Sequence, residues 1–178
     1  MNDLVTIAAR ADNLQLPFLL AGGHAVIVHG YARSTFDLDL MVRQEDRARW
    51  LELIQGLGYS LLREGPTFLQ FNAPARSSFP LDLMLVNATT FSRMQADAVA
   101  TPALAGGVRV VSLMHLLALK CHAVKHGHPG RIVKDADDVI HLLQNNGMDP
   151  DAEAVREVFR NHGSEEFYEK IRKASRRT

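Results

Sequence analysis

A single cysteine, Cys121, is all the chain contains, so no disulfide can form within it. A reducing compartment is the expectation. Charge of one sign is also missing: 20 Lys and Arg balance 20 Asp and Glu. Without a basic excess, sequence-blind nucleic-acid binding is disfavoured, although a local basic site is still allowed. No run approaches the roughly 18 apolar residues that a membrane span needs. Met1 to Arg10 carries Asp3 early and lacks the basic-then-apolar layout of a signal segment. These absences predict a soluble cytoplasmic protein with no membrane partner. No internal repeat or low-complexity linker divides the 178 residues, so one domain over 1–178 is the default.

What is present reads as a mixed α/β core over 1–111 followed by a helical extension over 112–178. Leu4, Ile7, Ala8, Ala11 and Leu14 recur at helical spacing over Asp3 to Leu14. Phe18 to Ala21 follows as a short buried strand, Gly22-Gly23 breaks the chain, and Ala25 to Tyr31 resumes as helix. Phe36 to Val42 reads as a strand. Gln44 to Leu57 reads as a helix with Trp50, Leu53, Ile54 and Leu57 inward, closed by Gly58. Tyr59 to Arg63, Thr67 to Asn72 and Leu81 to Val86 are the next strands. A helix over Thr89 to Asp97 can use Asn87 as its cap. Val108 to Val111 is a last short strand after Gly106-Gly107. Beyond it come a helix from Ser112 through His126, a loop at His128-Pro129-Gly130, and a helix over Ile132 to Leu143. Another helix runs from Asp149-Pro150-Asp151 to His162-Gly163, and a short one starts at Ser164 with Phe167. The fold class is therefore α/β (α+β), a mixed sheet flanked by helices with a helical C-terminal part.

The chemistry is concentrated in Gly22-Gly23-His24-Ala25 and in Arg33-Ser34-Thr35-Phe36-Asp37-Leu38-Asp39-Leu40. Alternation along a strand puts Asp37 and Asp39 on one side, and Phe36, Leu38, Leu40 and Val42 on the other. Two like charges on adjacent same-face positions are costly near a core unless a cation lies between them. Hard oxygen ligands favour Mg²⁺, with Mn²⁺ as substitute. The glycine pair between strand and helix lets backbone N–H groups approach an anion closely. Asp82 interrupts an otherwise apolar strand, with Leu81, Leu83 and Leu85 facing away from it. If that strand lies beside the Asp37/Asp39 strand, three carboxylates converge as catalytic and metal-binding groups. A two-metal site for in-line phosphoryl displacement would follow.

A glycine pair, a helix, an Asp-x-Asp strand and a later lone strand Asp together resemble the nucleotidyltransferase superfamily of polymerase-beta type. Arg33-x-Thr35-x-Asp37-Leu38-Asp39, Leu119-Lys120 and Lys134-Asp135-x-x-Asp138 are similar to its minimal prokaryotic branch, which includes abortive-infection type toxins. The resemblance runs from about Phe18 to Leu143. It implies transfer of a nucleoside monophosphate from a triphosphate such as ATP to an acceptor hydroxyl on RNA, protein or a small molecule. Gly22 and Gly23 would form the phosphate loop, with Arg33 as a nucleotide-binding residue; His24 could reach phosphate as well or be an ordinary surface histidine. Asp37, Asp39 and Asp82 would hold the metal, Asp82 also acting as base. Lys120 would neutralise the triphosphate, and Asp135 would serve the distal motif. Two departures stand out: Gly23 occupies a position where relatives often carry serine, and Lys134 one where the toxin branch often carries arginine.

Several of these residues have blander readings. Lys120 lies on an apolar helix and could simply snorkel to solvent. Lys134, Asp135, Asp137 and Asp138 could be an ordinary charged helix start. His115, His122 and His126 share helical spacing but lack a convincing fourth zinc ligand. The basic stretch Lys170 to Arg177 reads as a solvated end or an RNA contact. Two other functions are compatible with the same residues: a catalytically silent nucleotide- or partner-binding module, and the toxin of a bacterial toxin–antitoxin pair with an antitoxin partner.

Overall fold

The computed structural model describes residues 2–76, 78–101, 107–127 and 129–175. The chain divides into two compact units, Met1–Ala25 with Ser34–Val111, and Val26–Arg33 with Ser112–Thr178. Among the described residues, no helix is long and apolar enough to cross a membrane.

The first unit is built on a seven-stranded mixed sheet. Its elements are α1 (Asn2–Asn13), β1 (Phe18–Leu20), the start of α2 (Gly22–Val28) and β2 (Leu38–Arg43). A 3-10 turn at Gln44–Asp46 leads into α3 (Arg47–Gly56), β3 (Ser60–Gly65), β4 (Phe68–Asn72) and β5 (Leu81–Val86). The unit closes with α4 (Ala88–Ala96), β6 (Val99–Ala100) and β7 (Arg109–Val110). The strand order is β3-β4-β5-β2-β1-β7-β6. β2 pairs parallel with β5 and β1 pairs parallel with β7, while the remaining pairs are antiparallel.

The helices follow their apolar stripes. Leu4, Ile7, Ala8 and Ala11 of α1 are buried, as are Trp50, Leu53 and Ile54 of α3. Asn87 caps α4 by accepting from the Thr90 N–H at 2.8 Å. β2 is a central strand covered on both faces: Leu38, Leu40 and Val42 are buried, and so are Asp39 and Met41. One expectation fails at its start. Phe36 is 77% exposed rather than packed beside Leu38. The strand begins two residues later, where the Leu38 N–H donates to the Pro80 carbonyl at 2.9 Å, so alternation does not extend back to Phe36. Strand β6 was not anticipated, since two residues give no periodicity.

The second unit is helical. It holds the segment Val26–Arg33 with α5 (Leu113–His126), α6 (Pro129–Asn145), α7 (Glu153–His162) and α8 (Glu165–Ser175). Ser112 caps α5, accepting from the His115 N–H at 3.3 Å. The expected loop at Pro129-Gly130 is instead the first turn of α6. Proline has no N–H to lose there and its fixed φ suits the first turn, so it starts this helix rather than breaking one. His128, also assigned to that loop, lies outside the described residues. The last helix is longer than expected, and it absorbs part of the basic stretch: Lys170 pairs with Glu166 at 2.9 Å and Arg172 with Glu169 at 3.0 Å. Arg176 and Arg177 lie outside the described residues. Cys121 is fully buried, and burial pushes its thiol up to about 12, which keeps it protonated and inert.

Candidate active site in the first unit and a buried ion network in the second

Register brings the first two carboxylates together. β2 and β5 run parallel with Asp39 opposite Asp82, flanked by Leu38 opposite Leu81 and Leu40 opposite Leu83. Paired residues in adjacent strands share a face, so Asp39 and Asp82 stand side by side while Leu81 and Leu83 anchor the opposite face. Asp39 is only 8% exposed. Asp37 lies just before the strand, half-buried, and its Oδ1 accepts a hydrogen bond from the Thr35 hydroxyl at 2.8 Å.

The glycine loop touches the same carboxylate. Gly22 has φ of +55°, a left-handed conformation that side chains disfavour. A Cβ placed there would overlap the Asp39 carboxyl group. Glycine is thus required twice over, by its backbone angle and by the approach of Asp39. The Ala21 N–H also donates to the Asp39 carbonyl at 3.0 Å. α2 begins at the glycine pair itself, not at Ala25. His24, on its first turn, packs edge-on against the Phe79 ring at 5.7 Å. Asp3 fixes the loop that carries Phe79, accepting from the Ser78 hydroxyl at 3.1 Å and the Phe79 N–H at 3.0 Å.

Sequence reasoning missed Gln70. It lies opposite Asp82 on β4, and its amide Nε2 donates to Asp82 Oδ2 at 3.0 Å. Asp39, Asp82 and Gln70 therefore form a row across three neighbouring strands. The alternation of Leu69, Gln70 and Phe71 was the available signal, because it places Gln70 on the face opposite the two buried residues.

The metal fit rests on the pair. Among the described residues, no three acidic, histidine or cysteine side chains are assembled as a ready metal cage. Mg²⁺ rarely uses an all-protein cage; one or two carboxylates, waters and substrate phosphates complete its octahedron. Two same-face carboxylates, Asp39 buried and Asp82 half-buried, beside the Gly22 backbone suit that chemistry.

Lys120, Asp135 and Arg33 belong to the second unit and meet one another there. Lys120 is 6% exposed, so it does not snorkel to solvent. Its ammonium lies 2.7 Å from Asp135 Oδ1 and 2.7 Å from Asp138 Oδ2. Arg33 reaches across from the Val26–Arg33 segment and grips Asp138 with two nitrogens, Nε at 2.5 Å and Nη2 at 2.9 Å. Burial alone would raise the Asp138 carboxyl, but hydrogen bonds from Arg33 and Lys120 outweigh it and hold it below its ordinary 3.8. Nearby, the Tyr31 hydroxyl donates to Asp137 at 2.6 Å, and its ring stacks on His141 at 4.0 Å. To meet a phosphate, Lys120 would have to leave both carboxylates. Among the histidines, His122 and His126 sit with ring centroids 4.5 Å apart.

No protein-family model matches the chain, and no curated protein does. Solved structures do. The antibiotic-resistance factor ANT(2″)-Ia, in its solution structure, aligns at 19% identity with a TM-score of 0.59, over 97% of this chain and 89% of that one. Its crystal structure with adenylyl-2″-tobramycin aligns at 19% identity and a TM-score of 0.55, over 98% and 95%. The lincosamide antibiotic adenylyltransferase LnuA, bound to lincomycin, gives 15% identity and a TM-score of 0.53, over 79% and 94%. These likenesses do not reach the abortive-infection branch. At such identities they show architecture alone: the chain has the nucleotidyltransferase fold.

Proposed function

We propose that this protein is a metal-dependent nucleotidyltransferase that moves a nucleoside monophosphate from a nucleoside triphosphate to an acceptor hydroxyl. The observation that carries the reading is the register of Asp39 against Asp82, with Gly22 lying against the Asp39 carboxyl group. Asp39 and Asp82, joined by Asp37, would hold Mg²⁺ or Mn²⁺. When bound, that cation would neutralise the phosphate oxygens as charge builds on them.

The chain's own groups have separate tasks. The bare Gly22-Gly23 backbone lets a triphosphate come close to the carboxylates, where a side chain would block it. Asp82 takes the proton from the acceptor hydroxyl. The hydroxyl oxygen then bonds to the α-phosphorus, the bond from that phosphorus to the bridging oxygen breaks, and pyrophosphate leaves. Burial of Asp39 excludes water and strengthens each electrostatic contact. Lys120, paired with Asp135 and Asp138, and Arg33, paired with Asp138, stabilise the helical unit. For the acceptor, ANT(2″)-Ia and LnuA favour a hydroxylated small molecule over RNA or protein.

The test is incubation of the protein with each α-labelled triphosphate, Mg²⁺ or Mn²⁺, and fractions of a cell extract. The label is expected on a small molecule, with unlabelled pyrophosphate released, and Asp39→Asn should form neither product. Metal-dependent triphosphate binding without any transfer would identify a silent binding module instead.

A further inference from the structure

We propose that Gln70 is a positioning residue that fixes the Asp82 carboxylate for metal binding, a role that rests on the nucleotidyltransferase reading. Gln70 and Asp82 are opposed in register on antiparallel strands, and the amide donates to Oδ2 at 3.0 Å. Directly opposed side chains in such a pair have Cβ atoms only about 5 Å apart, so the contact needs no unusual rotamer. β4 cannot easily move it away. Leu69 and Phe71 are buried on the other face, and a one-residue slip would carry both into the polar row.

The residue type suits the task. An amide Nε2 can only donate, so it meets a carboxylate oxygen that accepts. A lysine or arginine there would bring a charge that competes with a cation for Asp82. An acidic residue would repel Asp82 instead. A neutral donor orients the carboxylate and leaves its negative charge for the metal. Groups that orient ligands in this way commonly change metal affinity about 10–100-fold when removed.

The experiment is a Mn²⁺ titration of the full chain, with free Mn²⁺ read by electron paramagnetic resonance. It compares wild type, Asp39→Asn, Gln70→Leu, Gln70→Met, Asp82→Asn and the double variant Gln70→Leu/Asp82→Asn. Gln70→Leu should weaken Mn²⁺ about 10–100-fold. Gln70→Met, which keeps the side-chain length, should do the same and decides the matter if the leucine variant does not fold. On the Asp82→Asn background the weaker site retained by Asp39 should change less than about twofold, because Gln70 acts through Asp82. Wild-type affinity in both single variants, or an equal loss on the Asp82→Asn background, would overturn the role of Gln70. Equal Mn²⁺ binding by wild type and Asp39→Asn would instead remove the metal site itself.

Discussion

The two units each hold a pair of aspartates, and the pairs are built in opposite ways. Asp39 and Asp82 are like charges set side by side by strand register, and Asp82 takes a neutral amide as a partner. Asp135 and Asp138 alternate with cations, Lys120 between them and Arg33 beyond. Two positive and two negative charges in the second cluster cancel, so its burial is tolerable. The first cluster sets two carboxylates and an amide in one row, with the Asp39 carboxyl group against the Gly22 backbone. A neutralised network holds structure, whereas on our proposal the strand pair serves a ligand. Burial alone does not separate the two, since Asp39 and Asp135 are both largely removed from solvent.

The largest effect should come from breaking the neutralised network. Lys120→Met leaves two buried carboxylates facing each other without the shared ammonium. A loss of about 3–5 kcal/mol is expected, read by denaturant unfolding. A change below about 1 kcal/mol would show that the network does not hold the second unit together.

Gly22→Ala should come next. The left-handed backbone costs about 1–2 kcal/mol for an alanine, and the Cβ must also displace the Asp39 carboxyl group. Unfolding should register the cost, and metal-dependent triphosphate binding should fall with it. Full triphosphate affinity in Gly22→Ala would separate the loop from the carboxylates.

Acid should unfold the second unit's network along a defined limb. Asp138 is held below its ordinary 3.8 in the folded chain. Its contribution is therefore fully present above about pH 4 and disappears as pH falls through the lower folded value. Asp138→Asn should flatten that limb in a pH series of thermal melts. An unchanged limb would mean that other carboxylates carry the acid sensitivity.

The smallest effect belongs to Phe36. Exposed as it is, Phe36→Ser should change stability by no more than about 0.5 kcal/mol. A larger loss would return Phe36 to the core.

The pattern of what could be read in advance follows from distance along the chain. Gly22 and Asp39 are local signals: a glycine pair and an acid within an apolar strand suffice to suggest them. The core faces of α1, α3 and β5 follow for the same reason. Phe36 was misplaced because alternation has no intrinsic end; where β2 starts is set by pairing with the Pro80–Leu81 region, more than forty residues away. Gln70 was hidden because its meaning depends on the β4–β5 register, which sequence does not display. Lys120 and Arg33 read as nucleotide-binding residues, and Asp138 as part of a distal motif or a charged helix start. Their pairing spans 105 residues between Arg33 and Asp138, and only folding reveals it. Pro129 misled because proline starts helices as readily as it stops them.

On our proposal, Asp39 and Asp82 form a site for a metal-bound triphosphate. Titration of wild type and Asp39→Asn with each nucleoside triphosphate, with Mg²⁺ and with the metal chelated, tests it most directly. Wild type should bind only with Mg²⁺, and binding should be lost in an Asp39→Asn protein that melts at or above the wild-type temperature. Binding that ignores Mg²⁺, or that survives Asp39→Asn unchanged, would contradict it.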